Sequence, residues 1–287
     1  MTAMRNHYLR ALFFLTFFCL FSAGGSAQRK MVYYYVDRIG EGDALYYYSY
    51  INTPEQGEQP CVMVLQADEE GGLQRFGSVK SYLEDSLAYA FGNEPQETRL
   101  LMSKSGELRR NREAFDPGRT DWVILKNYPK EGSRVVLDKV LTDKFRSDET
   151  DEAPRWTLGS ETKEIGGYLC KQASAEFYGR KWSVWYAPEV SVPYGPWLLG
   201  DLPGLVMEAV DESGDHTFSL LRIERRDTPI LYRKTDYLEA ERSRVLEQQK
   251  QYYRNRGRYA KGALSEGSYT TPVSDSPELP FSPLRVY

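Results

Sequence analysis

The segment from Cys170 to Leu205 reads CKQASAEFYGRKWSVWYAPEVSVPYGPWLLGDLPGL, and its pattern decides the fold. Its first half alternates apolar and polar side chains on both sides of Gly179-Arg180, which fits a two-residue turn with glycine at the first central position. In that register Phe177 faces Trp182 on an apolar side, while Trp185 lies on the polar side. The segment therefore predicts a β-hairpin with one buried face.

The second half of the segment predicts an ordered loop. Four prolines and three glycines lie between residues 188 and 204, a density that excludes a helix and indicates repeated turns. Within this loop Tyr194, Trp197, Leu198 and Leu199 form an apolar cluster. We expect the cluster either to pack into the core or, together with Trp185, to form a binding surface.

Short apolar runs separated by turn residues continue on both sides of this segment. Consecutive strands joined by short turns favour a mostly antiparallel sheet. Residues 81–90 are interpreted as a short helix, and the acidic residues 143–152 as a solvated loop. The predicted strands are a tyrosine-rich hairpin over 31–51 with its turn at 40–43, then 61–67, 122–128, 134–140, 205–210 and 216–223.

A longer helix is predicted near the C-terminus, over residues 236–256. Asp236 and Glu239 have the spacing of a capping box, an apolar stripe follows at helical spacing, and Gly257 ends the pattern. We expect the stripe to pack on the sheet, with docking against a partner protein as the alternative. Residues 262–287 are rich in Gly, Ser, Thr and Pro, which predicts an extended tail.

The first residues have the pattern of a secretory signal. Arg5 and Arg10 supply positive charge, residues 11–21 are apolar, and residues 25–27 are the small residues of a cleavage site. The apolar run is shorter than the roughly 20 residues that a membrane-spanning helix needs. We therefore expect a signal peptide over 1–27 and an exported chain in the periplasm or at the outer membrane, without a transmembrane segment. Residues 28–261 are expected to form one β-rich domain.

The amino-acid composition limits the classes of partner and the covalent cross-links that can be expected. The chain has a net charge of −4, and its basic residues are not concentrated with aromatic ones, so a nucleic-acid partner is not expected. Cys61 and Cys170 are the cysteines outside the predicted signal peptide. In an oxidising compartment they could form one disulfide or stay as two free thiols.

The sequence does not contain a recognisable catalytic constellation. His216 is the one histidine outside the signal peptide, and its position at the start of a strand after a turn is typical of a surface residue. One histidine and two distant cysteines do not make a zinc site, and a glycine-rich phosphate loop is missing, so no cofactor or metal is expected. Abundant carboxylates leave open a paired acid/base site of the glycosidase kind. We lean towards a protein that is not an enzyme.

The central segment resembles the GLPGLI family of exported proteins. The approach to Cys170 in residues 164–171, the hairpin around Gly179-Arg180 and the residues Gly195-Pro196-Trp197 are similar to the family's pattern. The stretch DLPGLV from Asp201 to Val206 stands where the family's motif would lie and matches four of its six positions. Asp201 replaces the first glycine, so position 201 cannot require a backbone angle open only to glycine.

The resemblance implies an envelope protein whose motif residues determine the fold, and it carries no catalytic residues over to this chain. We expect an α+β domain dominated by a curved, mostly antiparallel sheet, either open or curled into a half-barrel, with one C-terminal helix packed on it. The predicted function is a non-catalytic binding or carrier module for an apolar ligand or an outer-membrane partner protein. The alternatives are an envelope hydrolase that uses a carboxylate pair, and an assembly partner of an outer-membrane import receptor.

Overall fold

Twelve strands form one curved, open sheet in the computed structural model, which describes residues 35–53, 59–90, 120, 122–141, 143–254 and 281–284. Neighbouring strands are antiparallel apart from the pair β12–β6, and the order across the sheet is β12-β6-β5-β4-β3-β2-β1-β11-β10-β9-β8-β7. The strands are β1 (Tyr35–Asn52), β2 (Cys61–Ala67), β3 (Gln74–Ser78), β4 (Val123–Lys126), β5 (Ser133–Val140), β6 (Asp143–Thr150), β7 (Thr157–Ile165), β8 (Tyr168–Phe177), β9 (Arg180–Ala187), β10 (Leu205–Asp211), β11 (His216–Lys234) and β12 (Leu238–Glu239).

Two helices accompany the sheet in the described residues, α1 (Val79–Ala90) and α2 (Arg242–Arg254). Helix α1 packs on β1, β2 and β3, and α2 packs on β5 through the buried side chains of Val245 and Leu246. The predicted fold class, a curved and mostly antiparallel sheet with a C-terminal helix packed on it, is confirmed. The predicted signal peptide lies outside the described residues, as does most of the predicted tail.

The central hairpin is present as β8 and β9, but its register differs from the prediction by two residues. The turn residues are Tyr178 and Gly179, with φ of 49° and 73°, so that Phe177 pairs with Arg180. Two positive φ angles are typical of a type I′ turn, which matches the twist of the strands. A slip of two residues keeps every side chain on its face of the sheet, so the predicted apolar and polar faces are still correct.

The predicted tyrosine-rich hairpin is wrong, because residues 35–52 form the single long strand β1. Residues 40–43 do not reverse the chain; β1 pairs with β11 from Tyr35 to Asn52, with irregularities at Arg38/Gly40 and at Gly42/Ala44. Bulges absorb the extra residues of an irregular strand, and glycine often marks such places. The turn-forming residues are therefore used inside a strand.

The acidic segment 143–152 is also not the predicted loop. Residues 143–150 form β6, which pairs with β5 along its whole length. Its acidic side chains are neutralised in part from within the sheet, because the buried guanidinium of Arg134 contacts Glu149 and Asp151 at 2.8 and 3.1 Å. A cross-strand arginine makes an acidic stretch compatible with a sheet.

The C-terminal helix begins six residues later than predicted. Leu238 and Glu239 form the short parallel strand β12 beside β6, so Asp236 does not cap a helix. The carbonyl of Glu241 instead accepts the first hydrogen bonds, from the amides of Arg244 and Val245. Pairing with a neighbouring strand has outweighed a local capping pattern.

Two faces of the sheet carry separate cores. On the face that we call the loop face, Tyr46, Tyr48 and Tyr50 join the residues of the 188–204 loop in the largest cluster. On the opposite face, the helix face, Leu45 and Tyr47 join residues of β2 and α1. Alternate residues of one strand thus serve two cores, which is the period-two pattern of a sheet buried on both sides.

Candidate functional site

The helix face continues beyond the helices as a polar surface on β8, β9 and β10. Cross-strand pairing sets one row of side chains across it, from Ser219 on β11 through Glu208 and Trp185 to Gln172 on β8. Trp185, Glu208 and Gln172 are each half-buried. A tryptophan held between polar side chains on an accessible sheet face is a place where a partner could contact the protein.

Trp185 is held in position by charged neighbours. The ammonium of Lys163 on β7 lies 5.0 Å from the centroid of the Trp185 ring and is ion-paired with Glu208. A cation over an aromatic ring stabilises its orientation, and at exposed sites the contact is worth about 0.5–1 kcal/mol. We call Trp185, Lys163, Glu208 and Gln172 the open patch.

The open patch lies beside the last strand of the sheet. Strand β7 pairs with β8 and stands at the end of the strand order, and most of its side chains are exposed. Leu158 on β7 and Leu169 on β8 are 58% and 55% exposed. An edge strand offers backbone N–H and C=O groups to an added strand. Charged residues and a register irregularity between Leu158 and Thr162 restrict the part that can pair.

The predicted apolar cluster lies in the core instead of forming a surface. Tyr194, Trp197, Leu198 and Leu199 are all buried in the cluster on the loop face. The Trp197 ring centroid lies 5.7 Å from that of Trp182, and the Tyr194 ring packs edge-on against a core tyrosine. Of the five predicted binding residues, Trp185 is half-buried and packs against the edge of this cluster, and the other four are core residues.

The backbone of the 188–204 loop explains how these side chains are placed. Asp201 has φ of 65° in the left-handed region that Asp tolerates, and Gly204 has φ of 151°. A Cβ atom at Gly204 would lie 2.3 Å from the carbonyl oxygen of Ala187. The indole of Trp156 donates a hydrogen bond of 2.8 Å to the Gly200 carbonyl, and the hydroxyl of Tyr48 donates to the Val206 carbonyl at 2.9 Å. The loop is therefore locked onto the sheet.

The predicted disulfide is not formed, since Cys61 and Cys170 are not bridged to each other and both are buried. Cys61 begins β2 and Cys170 lies on β8, with β1, β11, β10 and β9 between them in the sheet. Neighbouring strands are about 4.8 Å apart, whereas a disulfide needs Cα atoms within about 7 Å. Burial raises the pKa of the Cys170 thiol, so it is protonated and unreactive at neutral pH.

His216 was predicted to be a surface residue, and this prediction is wrong. Its side chain is buried, with Nδ1 3.0 Å from the Tyr50 hydroxyl and Nε2 3.3 Å from Oγ of Ser282. Burial and the nearby Arg180 lower the pKa of His216 to about 4. No local signal indicates this environment, because Ser282 comes from the far end of the chain.

The buried carboxylates are engaged in ion pairs. Asp85 contacts Arg75 at 2.8 Å, and Asp211 contacts Arg180 at 2.6 Å. Burial would raise the pKa of Asp211, but hydrogen bonds from Ser213 and the His216 amide and the charge of Arg180 lower it overall. A carboxylate held ionised in this way suits a structural role better than that of a general acid.

Comparison with known proteins gives limited matches. A family described as "N-glycanase peptide, N-terminal domain" matches residues 147–243, from β6 to the start of α2. Two solved structures of PNGF-II, in the P21 and C2 space groups, match with a TM-score of 0.41 and identities of 15% and 16%. The matches cover 72% of this chain but 33% and 32% of those chains, so the chain spans about a third of their length. No curated protein matches the sequence.

None of the helices in the described residues is long and apolar enough to cross a membrane. In the same residues, His, Cys, Asp and Glu side chains do not form a group of three or more that could hold a metal ion.

Proposed function

We propose that the chain is an exported, non-catalytic binding module of the cell envelope that engages a partner protein through the open patch. The supporting observation is the contrast between two tryptophans of one segment. Trp197 is buried in the core, whereas Trp185 stays half-buried on a polar face and is oriented by Lys163. Tryptophan is enriched among the few residues that carry most of the binding energy of protein interfaces.

A partner protein fits this surface better than an apolar cargo. An apolar ligand would need a cavity lined by aromatic side chains. On the loop face the aromatic side chains of the sheet pack against Tyr194, Trp197 and Leu199 of the chain's own loop. On the other face the open patch is polar, and β7 beside it is an edge to which a strand of the partner could add.

The family match gives modest support. Its description names a domain of an N-glycanase, and the matched residues 147–243 include all four residues of the open patch. A module that binds beside another functional unit is consistent with such a domain. An assembly partner of an outer-membrane import receptor is a narrower form of the same proposal.

Site-specific photo-crosslinking tests the proposal. A photoreactive phenylalanine analogue is placed at position 185 of the exported chain in the bacterium that makes it, and, as a control, at position 238. Leu238 is 54% exposed on β12, at the opposite edge of the sheet. We expect a discrete protein-sized product from position 185 and none from position 238. Equal products from both positions, or none from position 185, would contradict the proposal.

A further inference from the structure

The C-terminal residues 281–284 are fastened to the end of the sheet by buried polar contacts. Arg180 donates from Nε and Nη2 to the Pro283 carbonyl at 2.9 and 2.7 Å, and from Nη2 to Oγ of Ser282 at 2.9 Å. The side-chain amide of Asn52 donates to the Ser282 carbonyl at 3.1 Å, and Ser282 donates to Asp215 at 2.9 Å. Three strand ends of the sheet thus converge on one short segment.

Ser282 sits directly against the buried ring of His216. The hydroxyl of Tyr50 lies 3.0 Å from Nδ1, and Oγ of Ser282 lies 3.3 Å from Nε2. Ser282 already gives its proton to Asp215, so these contacts assign the neutral tautomer with the proton on Nε2, which donates to Ser282, while Nδ1 accepts from Tyr50. Both ring nitrogens have a hydrogen-bond partner when the ring is uncharged.

A second proton on His216 would disturb this arrangement. Nδ1 would become a donor, so the Tyr50 hydroxyl would have to turn from donor to acceptor, and a positive charge would be placed in a buried site that already holds Arg180. Asp211, Asp215 and the backbone carbonyl of Pro283 favour the charged ring and offset part of this cost. Asp211 is already bound by Arg180, and Asp215 accepts from Ser282. Burial and the charge of Arg180 outweigh the groups that favour the proton, so the charged ring is better accommodated when water replaces the segment.

We propose that residues Phe281–Leu284 form an acid-released strap, which closes over His216 when its ring is neutral and leaves when the ring gains a proton. The ring of Phe281, whose centroid lies 5.1 Å from that of Tyr253 on α2, is the second anchor of the strap. The strap does not depend on the open patch, which lies on the opposite face of the sheet. Release would expose a polar pocket formed by Arg180, Asn52, Asp215 and His216.

Protonation of His216 and closure of the strap oppose each other, and this coupling is reciprocal. If protonation of the ring weakens the strap by some factor, removal of the strap must raise the proton affinity of the ring by the same factor. With the strap in place, burial lowers the pKa of His216 to about 4. Loss of the strap exposes the ring to water and should return its pKa towards its ordinary value of about 6.5.

Nuclear magnetic resonance of the full chain tests the strap. The chain has two histidines, and the ring signal of His216 is identified by its loss in a His216→Gln variant. We expect Ser282→Ala to raise the pKa of the ring by one unit or more, a tenfold change in proton affinity. Ser191→Ala, at an exposed serine of the 188–204 loop, should leave the pKa unchanged.

The wild-type chain supplies an independent readout. The amide signals of Ser282 and Leu284 should narrow with the same pH midpoint as the titration of the His216 ring, while the amides of β2 keep their folded positions. The strap is ruled out if Ser282→Ala leaves the pKa of the ring unchanged. It is equally ruled out if the tail amides do not respond to the titration, or if they change only when the amides of β2 unfold.

Discussion

At the scale of single side chains, the two tryptophans Trp185 and Trp197 of the central segment differ in their role. Trp197 is 8% exposed and contacts the rings of Phe177 and Trp182. Trp185 lies in a half-buried row between Glu208 and Gln172. The two tryptophans therefore differ in burial: Trp197 lies inside the core, whereas Trp185 packs against it and keeps part of its ring in contact with solvent.

Alanine substitution should separate these two roles. Trp197→Ala is expected to lower the free energy of unfolding by about 3–5 kcal/mol, because it leaves a cavity in the core. Trp185→Ala removes a partly solvated ring and should cost about 1 kcal/mol. Urea unfolding of both variants measures the difference. Equal losses of stability would show that Trp185 is also a core residue.

A buried ion pair gives a second expectation for single side chains. Arg75 is buried and contacts Asp85, while its Nε and Nη1 have no hydrogen-bond partner among the described residues. Asp85→Asn should cost about 3–5 kcal/mol, because it leaves a buried guanidinium without its counter-charge. Asp37→Asn, in the exposed pair with Lys234, should cost at most about 1 kcal/mol. Thermal unfolding that is similar for the two variants would contradict this assignment.

Among the elements, the 188–204 loop depends on one backbone position. Gly204 has φ of 151°, and a Cβ there would meet the Ala187 carbonyl at 2.3 Å. Gly204→Ala should therefore cost about 3 kcal/mol or more, from strain and overlap together. Gly214→Ala is the matched control: its φ is 73° but nothing lies within 4 Å of the added atom, so about 1 kcal/mol is expected. A smaller cost at Gly204 than at Gly214, measured by urea unfolding, would refute this account of the loop.

The strands and helices also show which parts of the fold can be predicted from sequence patterns. Alternation of side chains identified β8 and β9 and their apolar face, because the side-chain period survives a two-residue slip. It did not identify β6, whose acidic residues become compatible with a sheet only through Arg134 on β5. The cap at Asp236 failed for the same reason, since a tertiary pairing of β12 with β6 replaced a local preference.

The same reasoning applies to the candidate site. The sequence placed Trp185 on the polar face, and the structure agrees. The burial of His216 depends on Ser282, which is 66 residues away in the chain, so no local pattern could reveal it. The separation of Cys61 from Cys170 likewise follows from strand order and not from spacing.

For the whole molecule, the free energy of unfolding should fall over a defined range of pH as acid is added. The pKa of His216 is about 4 in the folded chain and about 6.5 in the unfolded chain. Between these values the unfolded chain binds a proton that the folded chain does not, so the free energy of unfolding falls as the pH is lowered. The total loss is about 3 kcal/mol. Urea unfolding from pH 7 to pH 4 measures it, and His216→Gln should remove this part of the slope.

The free thiols give another expectation for the whole molecule. Because Cys61 and Cys170 are buried and unbridged, a reductant should leave the melting temperature unchanged. A thiol reagent should label both cysteines only after denaturation. A melting temperature that falls when reductant is added would indicate a bridge that the structure does not contain.

The most direct test of the central claim is native mass spectrometry of the exported chain, purified gently from the bacterium that makes it. If the open patch engages a partner protein, the wild-type chain should carry a protein-sized adduct that Trp185→Ala loses while its melting temperature changes little. A lipid-sized adduct, a protein adduct that survives Trp185→Ala, or a clean mass without any adduct would contradict the claim.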